Sequence, residues 1–515
     1  MKFVVKLFPE ITIKSKSVRK QLTKILRANL RTLLKKQGIS ADVQDRWDCL
    51  MIAVNDDQEI EADLVRRHCI QILSHTPGIG YSLEIDEHPF ETLDQAYQLV
   101  RDAAAPSLEG KTFVVRVKRA GKHDFTSHQA EIYMGGGLLK ETGAIGVSLK
   151  NPDVVVNVEL RNDKVHVVRN RIAGLGGFPL GSQGEVLSLI SGGFDSTVAS
   201  YLLTRRGLKT HFCFFNLGGS AHEIGVKQVA HYLWQTYSES HRVKFITVPF
   251  DEVVTEILTK IDNGHMGVVL KRMMMRAASR VAERMNLPAI ATGEAVAQVA
   301  SQTISNLAVI DRVSDHMVLR PLATMDKHDI ILLARRIGTE TFAARMPEYC
   351  GVISVNPLTQ GDRSKTEQVE QAFDMAVLER ALERATYQRI NEVLADADSG
   401  LEDLALVAMP QLDDVVVDIR HPGETADTPL FLPNNAVKAI PFYELESRLA
   451  ELETGKRHLL YCQKGTMSKI HAHHLNQKGL GQFGVFVEKK AAPIPTRQEI
   501  RAAAEAADVD NGEEE

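Results

Sequence analysis

VLSLISGGFDSTVASYLL, residues 186–203, decides how the chain is built. Val186 to Ile190 is a continuous apolar run of the kind buried on both faces of a parallel sheet. It delivers the chain into Ser191, Gly192, Gly193, Phe194, Asp195 and Ser196, and a helix follows from Thr197 to Leu203. The two glycines carry no Cβ, so backbone N–H groups approach an anion closely. Ser191 and Ser196 add hydroxyl donors, and the helix N-terminus adds a favourable dipole. This is the pattern of a phosphate cradle. Phosphate would repel Asp195 without an intervening cation, which points to Mg²⁺ arriving with a nucleotide. No GxxxxGK(S/T) occurs, and Gly174, Gly176 and Gly177 run into Phe178 and Pro179 instead of completing GxGxxG before a helix. Both facts argue against a P-loop kinase and a dinucleotide dehydrogenase.

From Val186 to about Gly338, strand and helix patterns alternate, the signature of a parallel α/β domain. A chain of 515 residues exceeds what one core supports and calls for three or four domains. Upstream, Lys2 to Phe8 reads as a strand. Ser17 to Gln37 reads as a helix with Leu22, Ile25, Leu26, Leu30, Leu33 and Leu34 on one face and basic residues on the other. Residues 1–40 hold eight Lys and three Arg against the single acid Glu10, so this arm carries 11 − 1 = +10 in a chain of net charge −5. Such an arm faces something anionic. A second helix is expected over Glu61 to Ser74, and strands over Tyr81 to Ile85 and Phe113 to Val117. In the latter, Arg116 and Lys118 project away from Val115 and Val117, and Arg119 and Lys122 follow closely. Val154 to Leu160 and Lys164 to Val168 form a hairpin closed by Arg161, Asn162 and Asp163. The two basic patches supply phosphate contacts, and the shortage of aromatics beside them favours structured RNA over stacked single strands.

Downstream, a helical stretch is expected from Lys365 to Ala395, and Val415 to Ile419 opens a smaller α/β unit ending near Lys489. Residues 491–515, with five Glu, two Asp and no apolar periodicity, are expected to be a disordered acidic tail. The five cysteines, Cys49, Cys69, Cys213, Cys350 and Cys462, include no CxxC pair. That argues against a disulfide scaffold and a structural zinc site and leaves thiol chemistry; His471, His473 and His474 form no metal spacing either. Cys213 lies inside the apolar HFCFF run and reads as a packed core thiol. Cys462 follows the apolar Leu459, Leu460 and Tyr461 and opens CQKGTMS, with Gly465 and Ser468 spaced three and three. A loop curled around a sulfur and backed by a helix N-terminus presents N–H groups that favour a thiolate able to accept sulfur. A cysteine-dependent phosphatase would need Arg where Ser468 stands. The chain is 44% hydrophobic and 25% charged, as ordinary soluble proteins are, with no run of about 18 apolar residues. A cytoplasmic location without a membrane partner is therefore expected.

SGGxDS after a strand resembles the PP-loop of the ATP pyrophosphatase superfamily. GLGGFPLGSQGEVLSLISGGFDS at 174–196, FNLGG at 215–219, TGEAVAQVASQT at 292–303 and MPEYCGVIS at 346–354 narrow the resemblance to the ThiI-type tRNA 4-thiouridine synthetases. VRVKRAGKHDFTS at 115–127 with the GGG at 135–137 resembles a THUMP core. VVVDIRHPGE at 415–424 and AIPFYEL at 439–445, taken with the Cys462 loop, resemble a rhodanese domain.

The resemblance implies a multidomain α/β chain. A ferredoxin-like domain would occupy 1–60 and a THUMP RNA-binding domain 61–170. A parallel α/β PP-loop domain would occupy 171–395, a rhodanese-like α/β domain 405–490, and the tail 491–515. It also implies that Leu189, Ile190, Ser191, Gly192, Gly193, Asp195, Ser196, Lys271, Gly293 and Gln302 hold ATP, with Asp195 essential. Lys271 and Arg272 taken alone read as surface cations. Ala297 stands where a glycine is expected. Cys462 would carry a persulfide and Cys350 would be the second redox cysteine. The implied reaction adenylates O4 of the uridine at position 8 of tRNA and replaces it with sulfur. Implied partners are tRNA, held by Arg116, Lys118, Arg119 and Lys122, a cysteine desulfurase, and a small sulfur-carrier protein for thiazole synthesis. The alternatives are a sulfur relay for thiamine synthesis only and an RNA-binding protein without catalysis.

Overall fold

The computed structural model describes residues 1–46, 49–55, 61–217, 220–344, 357–394 and 404–487, except 421–424, 426–428, 433, 442–443, 446–447, 454, 463–465, 478 and 481. Cys350 with its segment 346–354, and the tail 491–515, therefore lie outside the described residues. The chain divides into two compact units, Met1–Asp396 and Ala397–Glu515.

In the first unit, strands β1 (Lys2–Leu7), β2 (Ala41–Asp45), β3 (Cys49–Val54), β4 (Ile79–Pro89), β5 (Thr112–Ala120), β6 (Gly146–Val147), β7 (Val154–Arg161) and β8 (Lys164–Ala173) share one sheet in the order β2-β3-β1-β4-β8-β7-β5-β6. β1 lies antiparallel between β3 and β4. With helices Lys16–Lys36 and Ala62–His75, strands β1 to β4 make the β-α-β-β-α-β arrangement of ferredoxin-like folds. Its fourth strand, β4, comes from beyond residue 60 and pairs onward with β8. Leu22, Leu26, Leu30 and Leu34 are buried with Phe3, Val5 and Leu50, whereas Ile25 and Leu33 sit at the flank of the stripe and are half-buried. A second core gathers Tyr97, Val100, Phe113, Val115, Val117, Leu138, Val158 and Val165. Helices Leu93–Leu108 and Ser127–Glu141 pack there, each opened by a capping box, Thr92 with Gln95 and Thr126 with Gln129.

The second sheet of this unit contains β9 (Glu185–Leu189), β10 (Lys209–Asn216), β11 (Lys244–Pro249), β12 (Ala289–Ala291), β13 (Met317–Leu319) and β14 (Thr386–Arg389), in the order β13-β12-β9-β10-β11-β14. All pairs are parallel except β11 with β14. The expected helix over Lys365 to Ala395 is broken: helices Arg363–Glu370 and Met375–Glu383 are followed by β14. Asp374 accepts the Ala376 N–H and restarts the second helix, and the short Thr386–Arg389 run then finds an unpaired sheet edge that no local pattern announces. β9, first in sequence, lies between β12 and β10, so strand order reverses there. Loops after β9 and β12 consequently open on the crevice at the carboxyl ends of the strands.

The second unit is a smaller parallel sheet of β15 (Leu406–Val407), β16 (Val415–Asp418), β17 (Val437–Ala439), β18 (His458–Tyr461) and β19 (Phe483–Phe486), ordered β15-β19-β18-β16-β17. Val415, Val417, Leu460 and Val485 pack with Ala472 and Leu475 of helix Thr466–Gln477. Here the reversal falls between β16 and β18. None of the described helices is long and apolar enough to cross a membrane.

Candidate active site

The phosphate loop is closed by its own side chains. Ile190 donates its N–H to the Cys213 carbonyl at 2.9 Å, after which the chain leaves the sheet. Gly192 adopts φ +82°, a conformation a side chain would strain, and Gly193 caps helix Phe194–Arg205. The Ser196 Oγ accepts the Ser191 N–H at 3.1 Å and lies 3.1 Å from the Ser191 hydroxyl. Nε2 of the buried His222 stands 3.2 Å from the Ser191 carbonyl, pinning the loop from the far side. The facing wall is Thr292 to Glu294, after β12. A Cβ on Gly293 would stand 2.6 Å from the Asp195 carbonyl carbon and the Ser196 nitrogen, so this approach requires glycine.

Cations surround the cradle. The Lys327 ammonium, at the start of helix Lys327–Arg336, lies 2.8 and 3.0 Å from the two Asp195 oxygens. Gln298 Nε2 donates to Asp195 at 2.7 Å. The Asp195 carboxylate thus meets a cation of the chain's own, Lys327. Ala297 has φ +65°, a left-handed conformation that favours glycine, the residue the family resemblance leads one to expect there. Lys271, on helix Met266–Arg284, stands 3.5 Å from Glu294. Gln302 is buried; its Oε1 accepts the Ala295 N–H at 3.3 Å and its carbonyl accepts the Ala297 N–H at 3.0 Å. Arg272 is no surface cation. It is buried, ion-paired with Glu370, and donates to the Val309 carbonyl at 2.6 Å, while Arg276 reaches Glu370 at 2.6 Å.

Cys462 occupies the equivalent position in the second unit, at the carboxyl end of β18, and residues 463–465 lie outside the described ones. The Ser468 N–H, in the first turn of helix Thr466–Gln477, donates to the Cys462 sulfur at 3.4 Å. On the neighbouring strand end, Asp418 and Arg420 form a buried bidentate pair at 2.9 and 2.6 Å, with the guanidinium 4.9 Å over the Tyr461 ring. Cys49, Cys69 and Cys213 are buried. Burial pushes the Cys69 thiol up to about 12 and raises Cys213 as well, so neither offers a thiolate.

The basic residues divide. Lys118 and Arg119 line a cleft of about 440 Å³ together with Lys6, Tyr81, Glu159 and Arg161, which brings the first strand of the chain to β5 and β7. Its acid, Glu159, is paired with Arg161 at 3.0 Å. Arg116 and Lys122 are exposed but do not line that cleft.

Residues 181–375 match the family model described as Thiamine biosynthesis protein (ThiI), and residues 90–168 match the THUMP domain. A tRNA sulfurtransferase of Shewanella amazonensis is 52% identical over 486 residues, covering 94% of this chain and 100% of that protein. The chain belongs to the tRNA sulfurtransferase family. Another family member, from Shewanella oneidensis, is 50% identical over 488 residues, again 94% of this chain and 100% of its own length. Only about 6% of this chain, some 31 of 515 residues, falls outside these matches, so most of the unit Ala397–Glu515 is shared with tRNA sulfurtransferases. Among solved structures, a 4-thiouridine synthetase–RNA complex with bound ATP is 25% identical, covers 75% of this chain and 99% of its own, and gives a TM-score of 0.65. A Pyrococcus horikoshii structure, 17% identical over 66% of the chain with a TM-score of 0.50, shares the fold.

Sequence reading of this tRNA sulfurtransferase family member missed Lys327, Gln298, Glu294 and Arg320. Lys327 lies 132 residues from Asp195 and Gln298 lies 103 residues away, so no spacing rule connects them. Glu294 sits inside the quoted TGEAVAQVASQT segment. A carboxylate at the end of an apolar strand was the one available signal.

Proposed function

We propose that this protein uses ATP to activate O4 of the uridine at position 8 of tRNA and replaces that oxygen with sulfur carried on Cys462. The observation that carries the reading is the Ser191–Ser196 cradle at the sheet's reversal point, with Gly293 pressed against it and Lys271 and Lys327 beside it. That arrangement fits a triphosphate: backbone and hydroxyl donors meet the phosphate oxygens, and two lysines balance their charge. Family membership and the ATP and RNA in the related synthetase support the same reading. Mg²⁺ would enter with the phosphates and help neutralise them.

In the proposed sequence, O4 attacks the α-phosphate and pyrophosphate leaves, which makes C4 electrophilic. The terminal sulfur of a Cys462 persulfide attacks C4 and expels AMP. The Cys350 thiolate then attacks the Cys462 sulfur, releasing the thiocarbonyl and leaving a Cys350–Cys462 disulfide for an external thiol to reduce. The C-terminal unit, with a parallel sheet, Cys462 at a strand end and a helix N–H on its sulfur, is read as rhodanese-like. A cysteine desulfurase would load it. We divide the chain functionally into a ferredoxin-like part that runs past residue 60 through β4, an RNA-binding part from about residue 90 to 170, and parts at 171–395, 405–490 and 491–515. The +10 of residues 1–40 and the cleft cations Lys6, Lys118, Arg119 and Arg161 support tRNA binding, with Arg116 and Lys122 extending the contact.

A second reading, sulfur relay to a small carrier protein, is favoured by the description of the family matched at 181–375 and uses the same cysteine. Incubating the protein with unmodified tRNA, ATP and a desulfurase with cysteine separates the two. Thiolated uridine at position 8 is expected. Persulfide transfer to a carrier with no thio-tRNA would overturn the tRNA assignment.

A further inference from the structure

Beside the phosphate cradle lies a chain of alternating charges whose members divide the work unequally. Glu294 is 4% exposed and uses its two oxygens differently. Oε2 accepts from the Thr292 hydroxyl at 2.9 Å and from Arg320 Nε at 3.0 Å, whereas Oε1 faces the Lys271 ammonium at 3.5 Å. Arg320 is in turn committed to Asp311, through Nη1 at 2.8 Å and Nη2 at 2.6 Å. Its fork is therefore spent on carboxylates already in the chain. Lys271 differs. Its side chain keeps 25% exposure, against 13% for Arg320, and it meets Glu294 as an ion pair at 3.5 Å. Burial works against an ionised Glu294, but Lys271 and Arg320 with the Thr292 hydroxyl outweigh it and hold the carboxyl below its ordinary value.

We propose that Glu294 is a positioning residue for the nucleotide: it tethers Lys271 from behind and aims its ammonium at the phosphates, while Arg320 and Asp311 keep Glu294 in place. The placement supports this. Glu294 directly follows Gly293, whose backbone is locked against Asp195 and Ser196, so the carboxylate that restrains Lys271 is fixed in register with the cradle itself. A lysine side chain loses considerable rotamer freedom when it binds. A carboxylate that restrains it beforehand lowers that cost.

This inference rests on the reading of Lys271 as an ATP contact, and a double-mutant cycle in the full chain, with tRNA and ATP, tests both. Pyrophosphate release is followed as ATP is varied. Lys271→Gln is expected to raise KM for ATP by about tenfold or more, and Glu294→Gln by roughly five- to tenfold, with kcat falling less than about threefold. The double variant should be no worse than Lys271→Gln alone, because Glu294 acts through that lysine. Losses that multiply in the double variant, or a kcat loss at unchanged KM, would mean that Glu294 serves the fold through Arg320, and the proposal fails. If Lys271→Gln leaves KM unchanged, the nucleotide-site reading fails first and takes the proposal with it. Should Glu294→Gln not fold, Glu294→Asp keeps the charge but draws it back by one methylene; a smaller KM rise that vanishes beside Lys271→Gln is then expected, and its persistence there overturns the idea.

Discussion

β9 and β18 are both inner strands of parallel sheets, and each ends where strand order reverses and a helix begins. At the end of β9 stand glycines, hydroxyls and an aspartate clamped by Lys327 and Gln298. At the end of β18 stands a thiol that accepts the Ser468 helix N–H, beside a buried Asp418–Arg420 ion pair. The first loop presents backbone and hydroxyl donors suited to a large anion. The second has its nearest guanidinium neutralised and offers a small polarizable atom. In the proposed reading, one architectural device serves as an anion site or a sulfur site according to the few residues that follow the strand, because the strand end and helix dipole are common to both and only the loop chemistry differs.

The sharpest way to break this division is to disable each site and ask whether the other still works. Cys462→Ser is expected to lower tRNA thiolation on the order of 10³-fold or more while pyrophosphate release on tRNA persists; full thiolation with a desulfurase donor would remove Cys462 from the pathway. Asp195→Ala should lower pyrophosphate release by about 10²–10³-fold and spare persulfide loading of Cys462, read by alkylation and mass spectrometry. Loss of both would show that the two sites are not separable. Gly293→Ala forces a Cβ to within 2.6 Å of the Asp195–Ser196 backbone. It should cost about 1–3 kcal/mol of stability by denaturant titration and weaken ATP binding, with Cys462 loading untouched. The smallest effect is expected for Ala297→Gly. Relief of a left-handed backbone worth roughly 1–2 kcal/mol is offset by about 0.4–1 kcal/mol of extra freedom in the unfolded chain, leaving a gain below about 1.5 kcal/mol. Destabilisation would show that the alanine methyl has a packing role that outweighs its backbone strain.

Both loops were legible because each is a local pattern: an apolar run, a short loop of chemically marked residues, and a helix. The Lys16–Lys36 helix and the β7–β8 hairpin were legible for the same reason, since periodicity and a turn are properties of neighbouring residues. The misreadings were all non-local. Arg272 looked like a surface cation because its partner Glu370 lies 98 residues further on. Thr386–Arg389 looked helical because the strand it joins, β11, ended well over a hundred residues earlier. Lys327, Gln298 and Arg320 carried no signal, being single polar residues without spacing.

The sequence by itself determined where the glycine- and serine-rich loop and the Cys462 loop would stand, each between a strand and a helix, for backbone conformation and donor supply there depend on residues a few positions apart. Which cation meets Asp195, which carboxylate restrains Lys271, and which arginine is buried were decided by strand order. Charges interact through space over a few ångströms, and only the folded sheet sets those distances.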